Sequence, residues 1–122
     1  MGETMEKFKN SSNQNREKMI SVIVTYQIKK EFVEQNKANI EKFIQDFEKL
    51  DATQFEYKIF TKQDGLTFVH HSLYKNETIQ KQLLNVPSFL EFQKQRDEIG
   101  LNGKAQIEIL NLLASSDEKW KI

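Results

Sequence analysis

Two adjacent imidazoles, His70 and His71, are the only side chains in this sequence that ordinarily titrate near neutrality. A general base is the chemistry such groups most readily supply. Successive residues of a strand point to opposite faces, so at most one of the pair faces any given cavity. Three tyrosines, Tyr26, Tyr57 and Tyr74, could orient a substrate oxygen, and nine phenylalanines could wall an aromatic ring. Thr25, Ser72 and Asn111 add hydrogen-bonding groups on segments that read as strands. Each of these types also has a plain packing role. A histidine on an apolar strand is commonly a hydrogen-bonded core or interface group, and a strand tyrosine commonly leaves its hydroxyl at the rim.

The composition narrows what those residues could serve. At 122 residues the chain is one domain's worth. Eighteen Lys and Arg balance eighteen Asp and Glu, which removes the basic footprint of a general nucleic-acid binder. The absence of cysteine excludes disulfides, thiolate nucleophiles and cysteine-ligated zinc, and two histidines cannot build a His-rich cluster. No metal site is expected. No apolar run approaches the 18 residues of a membrane span, so no membrane contact is expected either. A hydrophobic content of 38% suffices for a core. The reading is a small soluble cytoplasmic domain.

Residues 1–18 are polar, with Phe8 the one large hydrophobe, and lack the apolar centre of a signal peptide. Glu6 stands where a myristoylation motif needs Ser or Thr. They read as a flexible N-terminal arm, with the folded domain at 19–113 and a polar tail at 114–122.

Within the domain the hydrophobic period switches repeatedly. From Lys18 to Ile28 both faces of a strand are largely apolar, which predicts a central position. From Lys30 to about Leu50 a stripe of Phe32, Val33, Asn36, Ile40, Phe43 and Phe47 predicts an amphipathic helix. Phe55 to Lys62 alternates apolar with charged and reads as an edge strand. Gln63-Asp64-Gly65 signals a tight turn into a return strand over Leu66–Tyr74. Asn76 is a plausible N-cap, Val86-Pro87 divides two helical pieces, and Gly100 suits a helix C-cap. Ala105 to Leu113 completes a fourth strand, again edge-like. The order is ferredoxin-like β-α-β-β-α-β, an α+β fold, with the first and third strands central in a four-stranded antiparallel sheet.

Two helices cover one side of such a sheet. The other face is about 400 Å² in projection. Burying it contributes on the order of 10 kcal/mol per protomer before association costs. A twofold homodimer through the sheet face is the expected solution.

The element order and the run FVHHSLYKNETIQKQLLNVPSFLEF (Phe68 to Phe92) resemble the antibiotic biosynthesis monooxygenase superfamily of dimeric α+β barrels. The resemblance spans about Met19 to Leu113. It implies cofactor-independent monooxygenase chemistry on a small aromatic or quinol-type compound, within a pocket between sheet and helices. In this chain the catalytic candidates are then His70 and His71, and the substrate-binding candidates Tyr26, Thr25, Tyr57, Ser72, Tyr74 and Asn111. Three family positions differ: the strand Glu is Ser72, the Trp is Tyr74 and the helix His is Leu83. The haem-degrading branch's Asn, Trp and His fall at about Thr25, Leu83 and Gln93, which leaves no axial ligand, so no cofactor is expected.

Two other readings compete. An RNA-recognition module shares the element order, but Asp64–His71 keeps only the Gly, Phe and Val of its third-strand motif and lacks the stacking aromatics. A non-catalytic dimeric module that binds a small ligand, or serves interaction alone, is the alternative within the same fold.

Overall fold

Segments of period 2 become four strands: β1 (Ile20–Gln27), β2 (Phe55–Thr61), β3 (Thr67–Tyr74) and β4 (Gln106–Leu110). Those of period 3.6 become three helices: α1 (Val33–Phe47), α2 (Glu77–Leu84) and α3 (Pro87–Gln95). The computed structural model describes residues 18–121. The arm expected over 1–18 therefore lies, Lys18 apart, outside the described residues.

The sheet order is β2-β3-β1-β4, all neighbours antiparallel. The two strands with apolar residues on both faces are indeed central. Register places Val22 opposite Ser72, Val24 opposite His70 and Tyr26 opposite Phe68. Beyond β3, Tyr57 stands beside Ser72 and Ile59 beside His70. All of these share the helix-covered face.

Local chemistry fixes the ends. Asp64 accepts from the backbone N–H groups of Leu66 and Thr67, and Gly65 takes the positive φ of the turn, 73°. Asn76 caps α2 through its side-chain oxygen on the N–H of Ile79 at 3.0 Å. Pro87 opens α3, where its missing donor is harmless.

Gly100 does something other than the C-capping expected of it. Its φ is not positive; it closes a π-helical turn over Arg96–Gly100, in which the N–H of Leu101 bonds the carbonyl of Arg96 at 2.9 Å. A Cβ here would come within 2.5 Å of Phe32 Cδ2, so only glycine lets the turn lie against α1's entry. Hydrogen bonds from Lys29 to Gly100 and from Asn102 to Gln27 tie this turn to the end of β1.

The core is aromatic. Tyr26, Phe43, Phe47, Phe68, Phe89 and Phe92 are buried between the sheet and α1 and α3. Phe43 meets Phe89 edge-on, with centroids 5.0 Å apart, and Phe92 at 4.9 Å. Edge-to-face contacts of this kind add about 0.5–1.5 kcal/mol each to the area term.

The opposite face differs from expectation in two ways. It is less uniformly apolar, because β2 places Glu56 and Lys58 there and β4 places Gln106 and Glu108. The tail, expected to be merely polar, is docked. After a short 3-10 turn, Trp120 is 2% exposed and donates its indole N–H to Glu56 Oε1 at 2.9 Å. Lys119 Nζ donates to the carbonyls of Ala52 and Phe55, and Lys75 Nζ to that of Lys119.

The fourth strand is shorter than Ala105–Leu113. Leu110 pairs with Ser21 near the start of β1, and past that point the chain leaves the sheet. Asn111 follows the strand rather than lying in it. No helix among the described residues is long and apolar enough to cross a membrane.

Candidate functional site

A cavity of about 250 Å³ opens between the helices and the sheet, reaching from Tyr57 on β2 to Ile107 and Ile109 on β4. Helices α1 and α3 pack over the β2-β3-β1 side, and among the described residues nothing covers the inner side of β4, where Ile107 and Ile109 are 67% and 69% exposed. The cavity's apolar wall includes Val22, Val24, Leu84 and Phe89. Its polar groups come from β2, β3, α2, α3 and the π turn: Tyr57, His70, Ser72, Tyr74, Gln80, Gln93 and Arg96.

His70 is the centre of a hydrogen-bond chain. It is 2% exposed, with Tyr26 Oη 2.7 Å from Nε2 and Tyr57 Oη 2.8 Å from Nδ1. Asn36 Nδ2 donates to Tyr26 Oη at 3.1 Å. Burial, reinforced by the charge of Arg96, pushes the imidazole down to about 3, so it is neutral at physiological pH. Burial likewise raises Tyr26 and Tyr57, which keep their protons.

These protonation states give the chain a direction. Tyr26 Oη already receives the amide N–H of Asn36, and its own hydrogen has one remaining acceptor, His70 Nε2. A neutral imidazole that accepts at Nε2 donates at Nδ1. Tyr57 Oη is then the acceptor, and its hydrogen is free to point into the cavity it lines. The amide of Asn36 sets this polarity, at the cost of leaving its own Oδ1 buried without a partner among the described residues.

Arg96 supplies the cavity's charge. Its side chain is 11% exposed, and its guanidinium carbon lies 5.3 Å from the ring centres of both Tyr26 and Phe92. Nε donates to Asp97 at 2.9 Å.

Of the residues expected from sequence, Tyr57, His70, Ser72 and Tyr74 meet in the cavity lining, with Tyr26 directly behind His70. Three do not. His71 lies on the opposite face, with Nε2 3.3 Å from Ser21 Oγ, because it follows His70 on the strand. Thr25 shares that face, paired with Val69. Asn111 is exposed beyond the end of β4. Sequence reasoning overlooked Arg96, Gln80 and the role of Asn36. One signal was present: Asn36 is a polar residue within the apolar stripe of α1, and a buried amide requires a partner. The placement of Arg96 depends on the π turn, which no sequence period reveals.

Among the described residues, no three metal-ligating side chains come together. No family model matches the chain. No curated protein matches it in sequence. Solved structures do match in fold. Rv0793 from Mycobacterium tuberculosis is similar at a TM-score of 0.69 and 17% identity, over 81% of this chain and 99% of that one. A candidate antibiotic biosynthesis monooxygenase from Nitrosomonas europaea is similar at 0.67 and 15%, over 78% and 90%. A further antibiotic biosynthesis monooxygenase is similar at 0.66 and 11%, over 78% and 99%. The chain therefore has the ferredoxin-like α+β fold of these proteins.

Proposed function

We propose that this chain is a cofactor-independent monooxygenase of the antibiotic biosynthesis monooxygenase type, acting on a small phenol or quinol. The observation that carries the reading is the directed chain Asn36–Tyr26–His70–Tyr57, which ends at an aromatic-walled cavity. Such chemistry needs few parts. A phenol with a free para carbon loses its proton, and the electron-rich anion reduces O₂ within apolar walls. Oxygen adds at the para carbon, and loss of water leaves the quinone. One oxygen atom enters the product, the other leaves as water, and the substrate supplies all four electrons.

His70 orients Tyr57 in this reading rather than acting as a free base, because both ring nitrogens are engaged. Tyr57 meets the substrate oxygen. Its hydrogen, turned into the cavity by the N–H of Nδ1, donates to that oxygen and stabilises the phenolate, while the phenolic proton leaves to water at the cavity mouth. Ser72 and Tyr74 line the same cavity and would orient the ring. His71, also considered catalytic from sequence, stands on the other face and has no part in this scheme.

Oxygen uptake with para-unsubstituted phenols such as 1-naphthol tests the reading. The wild type consumes one O₂ per quinone formed, and Tyr57→Phe falls by about 10²- to 10³-fold, the usual contribution of one oxyanion donor. A wild type without turnover, or a Tyr57→Phe variant at full rate, refutes it. The occupation of both imidazole nitrogens also favours a second reading, a non-catalytic module that binds a small ligand. A wild type that binds these compounds without consuming oxygen would establish that alternative.

The reading includes a homodimer through the free sheet face, where Ile23, Val69 and Leu73 lie between the charged edges. Sedimentation at micromolar concentration is expected to give a species of twice the chain mass. A monomer alone would end the dimer proposal.

A further inference from the structure

We infer that the cavity selects an aromatic monoanion, a carboxylate or phenolate on a one- or two-ring body, and that Arg96 is the residue that selects it. The inference deepens the reading above and rests on it for the location of the site, not for turnover. Among the described residues the cavity lining contains one cation, Arg96, and no carboxylate. Its other polar groups are neutral: His70 by burial, the tyrosines by retained protons, and Gln80, Gln93 and Ser72 by nature. The field inside is therefore positive. Three groups register it, since the charge of Arg96 acts on His70, Tyr26 and Tyr57 alike.

Arg96 is itself incompletely satisfied. A guanidinium has five N–H donors in a planar fork, and Asp97 takes the one on Nε. Among the described residues no acceptor meets the four donors on its terminal nitrogens. Stacking on Tyr26 and Phe92 holds the plane beside the cavity. A nearly buried cation with free forked donors suits a planar oxyanion, which it can bind with two parallel charge-assisted bonds. A neutral ligand of the same shape leaves the forked donors without charged acceptors, since Asp97 reaches only Nε.

The size follows from the volume of about 250 Å³. At interior packing density, about 0.74 of that space is atoms, room for roughly a dozen heavy atoms. The exposed Ile107 and Ile109 at the mouth offer an apolar surface to the ring edge.

Calorimetric titration with 2-naphthoate and its neutral isostere 2-naphthamide tests the inference in the wild type, without any substitution. The acid is expected to bind about tenfold tighter or more, as charge-assisted bidentate contacts allow. Arg96→Met brings the two probes to similar affinity. Arg96→Lys, which keeps the charge and loses the fork, falls between. Equal affinities in the wild type, no binding of the acid at millimolar concentration, or a preference that survives Arg96→Met overturns it. Failure of the monooxygenase reading is separable. Preference for the acid without oxygen uptake leaves the anion site standing, whereas turnover of 1-naphthol without any preference for the acid removes the anion site and keeps the reaction.

Discussion

On the helix-covered face of the sheet, His70 is enclosed by two tyrosine hydroxyls and kept neutral; one residue further along β3, His71 meets a single serine 3.3 Å away on the opposite face. The same side chain, on the same strand, is built into a buried hydrogen-bond chain in one place and left as a half-buried group in the other. The difference comes from what lies above each face. Helices α1 and α3 and the π turn that follows bring Asn36, Phe43, Phe92 and Arg96 over His70, whereas the opposite face carries charges from the edge strands and one docked tryptophan. An imidazole acquires chemistry here from its lid, not from its strand.

Breaking that contrast has its largest effect at His70. His70→Ala leaves two buried hydroxyls without their partner and opens a void, and is expected to cost about 3–5 kcal/mol in urea unfolding. His71→Ala is expected to cost less than about 1 kcal/mol, and a similar loss from both would erase the distinction. Next comes Trp120→Ala, which undocks the C-terminal turn from Glu56 and costs about 1–3 kcal/mol, limited by local opening of the tail. Amide exchange at the start of β2 should quicken with it.

The pH dependence sharpens the comparison further. The folded-state value of His70, about 3, lies below the 6.5 of an unstructured histidine. The unfolded chain therefore binds a proton that the folded chain refuses as the pH falls. This contribution is complete above pH 6.5 and is lost progressively towards pH 3, at about 1.4 kcal/mol per pH unit. His70→Gln should remove that slope from the stability profile, and His71→Gln should leave it in place. The smallest stability change belongs to Asn36→Leu. It loses one hydrogen bond and also a buried oxygen without a partner, so the net effect is within about 1 kcal/mol. Oxygen uptake should nevertheless drop, because the chain through Tyr26 no longer has an imposed direction.

Much of this architecture was legible in the residues. Two-faced apolar strands declared β1 and β3 central, and Asp64-Gly65, Asn76 and Pro87 marked their turn, cap and helix start by local chemistry alone. Alternation put His70, Ser72 and Tyr74 on one face of β3 and His71 on the other, but not which of the two faces meets the helices. What escaped was of longer range. The part played by Asn36 requires knowing that Tyr26 lies opposite it, ten residues away and on another layer. Arg96 reaches the cavity through a π turn that closes at Gly100 against Phe32, a contact between distant segments. The docked tail escaped because a single Trp among polar residues has no period to betray it.

Trp120 is the chain's one tryptophan, and it sits on the side of the sheet away from the cavity. Intrinsic indole emission is thus a built-in optical gauge of the tail's seating. A red shift reports release of the C-terminal turn, while occupancy of the cavity is read separately, by calorimetry or by the tyrosines. One molecule carries two independent signals, one for each side.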